Sequence, residues 1–267
     1  MAWTVMLRWP ASLSRAVLAG MIMLLMFVTA GSSNAQDANV IVKRMADYMA
    51  NQKNFSFGFN SAVEVVTPQS QKIQFDGSGE VSVSRPDKFR ARRVGGYTDV
   101  ELVYDGKTLT LFGRHVNKYS QNNAPATIDQ TVDVLRTKYM AELPAADLIL
   151  ADPFTALMED VIDAKHIGQG VIDGVVCEHL AFRTTDTDWQ LWVEVGNTPF
   201  PRKFVITSKT VGESPQYSIE LKNWKTDVSF APDAFSFNPP PDAEKVDFGK
   251  MPHIDEIPPS SSQGGQQ

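Results

Sequence analysis

The chain has 267 residues, and 31 acidic against 25 basic side chains give it a formal net charge of −6. That balance argues against non-specific nucleic-acid binding, which needs a basic footprint. A single cysteine, Cys177, excludes an intramolecular disulfide, so the fold must be held by a core, which 43% hydrophobic residues can supply.

Residues 1–35 read as a secretory signal peptide. Arg8 and Arg15 make the start positive, Ala16 to Val28 is apolar, and Ser33-Asn34-Ala35 offers small residues for cleavage. The apolar run is shorter than the roughly 20 residues of a comfortable membrane span. An uncleaved N-terminal anchor is the alternative. The residue after the expected cleavage point is Gln36 rather than cysteine, so no lipid anchor is expected there.

Asp37 can cap a helix running to about Lys53, with Ile41, Met45, Tyr48 and Met49 on one apolar stripe. From Phe55 the period changes to two. Phe55, Phe57, Phe59, Val63 and Val65 share a face broken by Ser61, and Ile73, Phe75, Val81 and Val83 continue it beyond the turn at Pro68. Gly77 and Gly79 on that face permit a bend or bulge in a curved sheet. Phe89 to Val94 is a strand with a cationic face. Asp105-Gly106, between the runs Val100–Tyr104 and Lys107–Phe112, is a strong hairpin signal. His115 to Ser120 adds a short strand.

A helical insert follows. Thr127 and Gln130 make a capping box ahead of the stripe Ile128, Val132, Leu135 and Tyr139. Pro144 opens a second short helix, Ala145 to Leu150, and Pro153 a third, Phe154 to Glu159. Strands return at Val161. Cys177–Arg183 and Asp188–Trp192, joined by Thr184-Thr185-Asp186-Thr187, form a hairpin. With Arg183 opposite Asp188, Phe182 faces Trp189, Leu180 faces Leu191 and His179 faces Trp192. Leu180, Phe182, Trp189, Leu191 and Val193 then line one face, with Glu178 assigned to the other. Phe200–Thr207 and Gln216–Trp224 are further strands, and Phe235 to Pro240 ends the domain. The residues from 251 to 267, rich in proline, serine, glycine and glutamine, are expected to be a disordered tail.

Cys177-x-His179-Leu180-Ala181-Phe182-Arg183, Asp188-Trp189-Gln190-Leu191-Trp192 and Pro201-Arg202-Lys203 resemble a family of predicted periplasmic proteins of unknown function. Tyr104 to Leu109, Ala126 to Asp129 and Leu143 to Leu148 fit the same family, which is usually grouped with the outer-membrane lipoprotein carriers LolA and LolB. The resemblance implies an α+β fold: a strongly curved antiparallel sheet, or half-barrel, with an N-terminal helix and a short-helix lid on the concave face. It implies one domain over residues 36–250 in a periplasmic protein, and it brings no catalytic residues.

The residues themselves show little chemistry. His115, His166, His179 and His253 have no metal-ligand spacing, and the nucleophile-elbow, phosphate-loop and dinucleotide motifs are missing. Cys177 near His179 is read as a buried thiol rather than a nucleophile. No cofactor or metal is expected. The aromatic content is more informative. Phe57, Phe59, Phe75 and Phe89, with Phe182, Trp189, Leu191, Phe204 and Tyr217, would form the wall of a hydrophobic cavity. Leu135, Leu148, Phe154 and Leu157 of the insert would cover it. Whether that space is filled core or open pocket is left open at this point. Arg90, Arg92, Arg183 and Arg202 are either cross-strand ion-pair partners or an anion-recognising rim.

The leading expectation is a non-enzymatic periplasmic monomer that binds a lipid or lipoprotein acyl chain. A protein-interaction or envelope-stress-sensing module that takes an envelope protein on the same fold is the alternative. N-terminal sequencing of the exported protein should start near Gln36; Met1 retained in a membrane fraction would contradict the signal-peptide reading.

Overall fold

The computed structural model describes residues 30–141, 143–252 and 254; the segment 1–29 and most of the tail, including His253, lie outside the described residues. Helix α1 (Ala30–Ala50) leads into a first meander, β1 (Asn54–Val66), β2 (Lys72–Ser84), β3 (Lys88–Gly95), β4 (Asp99–Tyr104), β5 (Thr108–Gly113) and β6 (Lys118–Asn123). The insert comprises α2 (Ile128–Thr137), a 3₁₀ turn at Ala146–Ile149 and α3 (Pro153–Met158). A second meander follows, β7 (Asp163–Ile172), β8 (Val175–Arg183), β9 (Thr187–Glu194), β10 (Pro201–Ser208) and β11 (Gln216–Thr226), and then the two-residue β12 (Glu244–Lys245).

Among the described residues all twelve strands join one curved sheet, ordered β12-β6-β5-β4-β3-β2-β1-β11-β10-β9-β8-β7. The two meanders meet where β11 returns beside β1, with Phe59 opposite Leu221 and Ser61 opposite Ile219. The pairing is antiparallel except where β12 runs parallel to β6. The expected fold class is the one observed.

Alternation fixes which residues face the helices. Phe55, Phe57 and Phe59 of β1 pair with Val83, Val81 and Gly79 of β2, and Phe89, Ala91 and Arg93 of β3 follow on the same face. The β8–β9 hairpin has the expected register: Arg183 opposite Asp188, Phe182 opposite Trp189, Leu180 opposite Leu191, His179 opposite Trp192. Within it Glu178 lies opposite Val193 and so shares the inner face with Leu180, contrary to its expected place. It is accommodated there because its carboxylate meets His166 at 2.7 Å and Gln169 at 3.1 Å on β7.

The helices depart from the sequence reading in detail. Asp37 lies inside the described part of helix α1, which includes Ala30 onward, and is therefore not its cap. Its buried stripe is Ala38, Val42, Met45 and Met49, with Ile41 and Tyr48 on the flanks. It packs across β7, with further contacts to β8 and β9. Thr127 caps α2 by accepting from the Gln130 amide at 3.3 Å. The segment after Pro144 forms a single 3₁₀ turn preceded by Ala145 at φ +63°, whereas α3 opens with Pro153 in its first turn as expected, capped by Asp152.

Phe182 and Trp189 stack with centroids 3.9 Å apart at the end of the sheet where Val161 returns from the insert. Trp189 also meets Phe204 edge-on at 5.5 Å and is only 5% exposed. Trp189→Ala should therefore lower the unfolding free energy by about 3–5 kcal/mol in a denaturant titration; a loss below about 1 kcal/mol would mean the ring is not part of a packed core.

Candidate functional site

The inner face divides into a filled half and an open half. Over β7 to β9, α1 lies against the sheet, and Leu180, Phe182, Trp189 and Leu191 are buried there, as is Phe204 of β10. Phe57 and Phe89 belong to the same continuous core. Leu148 and Leu157 join it from the insert, whereas Phe154 is half-buried beneath the Lys43 ammonium. These residues form packed core rather than cavity wall.

The open half lies over β1 to β5. A cavity of about 570 Å³ is bounded by Phe59 and Val63 of β1, Ala91 and Arg93 of β3, Val100 and Leu102 of β4, and Leu111 of β5. Tyr217 of β11 closes one side. Leu135 and the segment from Tyr139 to Pro144 form the helical wall. Of the residues expected to line a cavity, Phe59, Leu135 and Tyr217 do so. Phe75 lies outside that wall, half-buried and edge-on to Tyr97 at 6.1 Å. Gly79 shapes this region: a Cβ there would lie 2.5 Å from the Phe59 ring and 2.1 Å from the Arg92 carbonyl oxygen. Only glycine lets that ring lie flat across β2.

The C-terminal segment completes the site, and its composition gave no sign of this. Beyond β11 the chain crosses the outer face, where Phe237 packs on Phe112 and Tyr119 with centroids 5.4 Å from each. It passes the β6 edge as β12 and reaches the inner side. There Phe248 packs on Tyr139 with centroids 4.0 Å apart and the rings tilted by 34°, Met251 is buried, and the Ile254 carbonyl accepts from Arg93 at 2.7 Å. Phe248 and Ile254 both line the cavity. The aromatic and aliphatic residues at 237, 248, 251 and 254 were the available signal.

Of the expected anion rim only Arg92 borders this cavity; Arg90, Arg183 and Arg202 do not line it. Arg90 and Arg92 stand on the outer face of β3. Arg90 donates to Glu101 at 2.7 Å, and Glu101 also accepts from Arg114 at 3.1 Å. Arg92 holds Asp99 in two bonds of 3.0 and 2.9 Å. That hydrogen bonding holds the Asp99 carboxyl below the usual aspartate range. Arg183 likewise lowers Asp188 through bonds of 2.9 and 3.1 Å, and Arg202 binds Glu194. Cross-strand pairing, the other option, is what these arginines do.

The Cys177 neighbourhood offers no nucleophile. Cys177 is fully buried on the outer face, and its weak bond goes to the Val175 carbonyl. His179 contacts Gln190 at 2.9 Å and stacks on Trp192 at 4.1 Å. Burial pushes the thiol pKa up, so the thiolate is scarce at neutral pH. Among the described residues no group of three or more His, Cys, Asp or Glu side chains is placed to hold a metal ion.

Geometrically this is an α+β domain: a curved, open antiparallel sheet with helices on one face and a cavity between the two. Residues 38–249 match the family described as "Predicted periplasmic protein (DUF2092)", and the chain belongs to that family of periplasmic proteins. Among curated proteins none matches significantly. An uncharacterized conserved protein from Thermus thermophilus is similar at TM-score 0.48 and 11% identity, over 79% of this chain and 99% of that one. A LolA superfamily protein from Nitrosomonas europaea is similar at TM-score 0.34 and 12% identity, over 76% and 98%. The Pseudomonas aeruginosa MucA/MucB complex contains a chain similar at TM-score 0.43 and 13% identity, over 76% and 61%.

Cys177 should react with a maleimide at pH 7 at least tenfold more slowly in the native protein than in urea; equal rates would show an open thiol site.

Proposed function

We propose that the protein is a non-enzymatic periplasmic carrier that shelters the acyl chain of a lipid or lipoprotein between its sheet and its helical insert. The observation that carries this reading is the cavity of about 570 Å³, walled mainly by Val63, Leu102, Leu111, Leu135, Leu143 and aromatic rings. Its size lies within the range of about 300–1,000 Å³ usual for small-ligand sites. Each buried methylene of a chain contributes about 0.8 kcal/mol, so a cavity of this size supports useful affinity. The insert is the element that moves in this proposal. Its helices are short and depend on their apolar faces for stability, and Leu135, Tyr139 and Leu143 exchange sheet contacts for ligand contacts.

One observation favours a second reading. The cavity wall already includes polypeptide from beyond the sheet, Phe248 and Ile254. A protein-binding module would use the same face for a segment of an envelope protein.

Hydrogen exchange separates a moving cover from a closed core. In the ligand-free protein, amides of 128–159 should exchange much faster than those of 176–182. Oleate should slow the first segment and leave the second unchanged. Equal protection of both segments, unaltered by oleate, would leave a closed core as the account.

A further inference from the structure

A second cavity lies on the outer face, on the side of the sheet away from the first. Alternation places Asn54 of β1, Ser84 of β2 and Lys88 of β3 outward, as direct cross-strand neighbours in one row. Lys107, in the tight turn between β4 and β5, extends that row. The segment after β11 crosses over this end of the sheet. It is fixed there: Arg90 donates to the carbonyls of Ala234 at 2.9 Å and Ser236 at 3.4 Å, and the buried Phe235 meets Phe230 edge-on at 5.0 Å. Row and segment bound a cavity of about 570 Å³, with Ser229 and Ser236 on the side of the segment. Among the described residues that line it, two are basic and one is acidic. The acid is already engaged, because one Asp105 carboxylate oxygen accepts from the amides of Lys107 at 2.9 Å and Thr108 at 2.7 Å. Lys88 is half-buried, and among the described residues neither its ammonium nor that of Lys107 enters an ion pair or hydrogen bond. The arginines beside them on β3 are matched, Arg90 by Glu101 and Arg92 by Asp99. The Asn54 side-chain oxygen is also buried at this cavity without a partner. An ammonium group partly withdrawn from water is costly unless an acceptor meets it.

We infer that this outer-face cavity is a binding site for a phosphate group, free or esterified to a small organic molecule. A lysine ammonium is a compact charge with three rotatable donors, suited to phosphate oxygens approaching from different directions. The polar residues reach the cavity from three sides: Ser84 and Lys88 from the sheet, Lys107 from the turn, Ser229 and Ser236 from the crossing segment. A tetrahedral oxyanion has an oxygen for each side, whereas a planar carboxylate has only two in all. The volume lies within the range of about 300–1,000 Å³ usual for small-ligand sites. It therefore leaves room for the organic part of an ester against Phe230 and Pro232. The site is separate from the inner cavity and does not rest on the carrier reading.

Isothermal titration calorimetry on the exported protein, in a phosphate-free buffer at low ionic strength, tests this with inorganic phosphate, glycerol phosphate and acetate. At least one of the two phosphate probes should bind, at least about tenfold more tightly than acetate. Lys88→Gln and Lys107→Gln should each weaken that binding at least about tenfold, the loss expected for a hydrogen bond to a charged group. Lys165→Gln removes an exposed charge from the edge strand β7 and should leave the binding unchanged. Tighter binding of glycerol phosphate supports the site with an ester as its ligand; equal or tighter binding of inorganic phosphate supports it with the free anion. The inference is overturned if neither phosphate probe binds or if acetate binds as tightly. It is also overturned if both lysine variants, shown to be folded by circular dichroism, keep the wild-type affinity, or if Lys165→Gln weakens binding as much as they do.

Discussion

The structure depends on the apolar inner face of the open sheet, which has to be covered. A twelve-stranded sheet presents far more apolar surface than one helix can hide, and exposed contiguous apolar surface is an association hazard. Helix α1 covers the strands from β7 toward β9, and there the sheet side chains are buried to a few per cent exposure. The insert has to cover the rest with ten residues of α2, a 3₁₀ turn and six residues of α3. It anchors through Ile128, Val132, Leu135 and Leu148, all nearly fully buried, yet it does not fill the space over β3 to β5. The cavity is thus a consequence of a short cover on a wide sheet. The same geometry places any occupant beside the part of the fold with least packing of its own.

The outer face is stabilised differently. Its strands carry charge, and the charges are matched across the ladder: Arg90 and Arg114 on Glu101, Arg92 on Asp99, Arg183 on Asp188, Arg202 on Glu194, Lys203 on Glu220. Exposed pairs of this kind contribute about 0.2–1 kcal/mol each. Glu101 differs from them because its side chain is only 7% exposed. Removing either arginine partner would leave a carboxylate in poor contact with water, a larger loss than an exposed pair would suffer. Arg90 also donates to the Ala234 carbonyl at 2.9 Å, so this network fastens the C-terminal segment before it turns around the sheet edge. The ion pairs therefore help to hold the segment that leads to the cavity wall.

Strand content, the Asp105-Gly106 hairpin and the β8–β9 register were legible in the sequence because period-two alternation and short loops are local signals. The register could be read because Arg183 and Asp188 flank a four-residue loop and leave one plausible partner for Trp189. The place of Glu178 was misread, although its parity with Leu180 was available in the same alternation. Parity also separates Arg93 from Arg90 and Arg92, but the acids that occupy the latter two, Glu101 and Asp99, lie on a neighbouring strand whose register sequence alone did not fix. The division into filled core and open cavity was not legible. It depends on how far α2 and the segment after it reach across the sheet, which is a matter of tertiary distance. The C-terminal segment was hidden for another reason. Its composition resembles that of disordered chains, and single anchors such as Phe237, Phe248 and Met251, spaced several residues apart, make no periodic pattern.

Those anchors explain how such a segment can stay on the protein. A strand added to a sheet edge gains a row of backbone bonds, but β12 contributes only two residues to its ladder with β6. The inner-side stretch is then held by the Phe248–Tyr139 pair, by Met251 and by the Arg93–Ile254 bond. An aromatic pair is worth about 0.5–1.5 kcal/mol beyond its buried area, and a hydrogen bond to a charged group about 1.5–3 kcal/mol. The inner-side stretch is thus held by a few separate side-chain anchors more than by the sheet ladder.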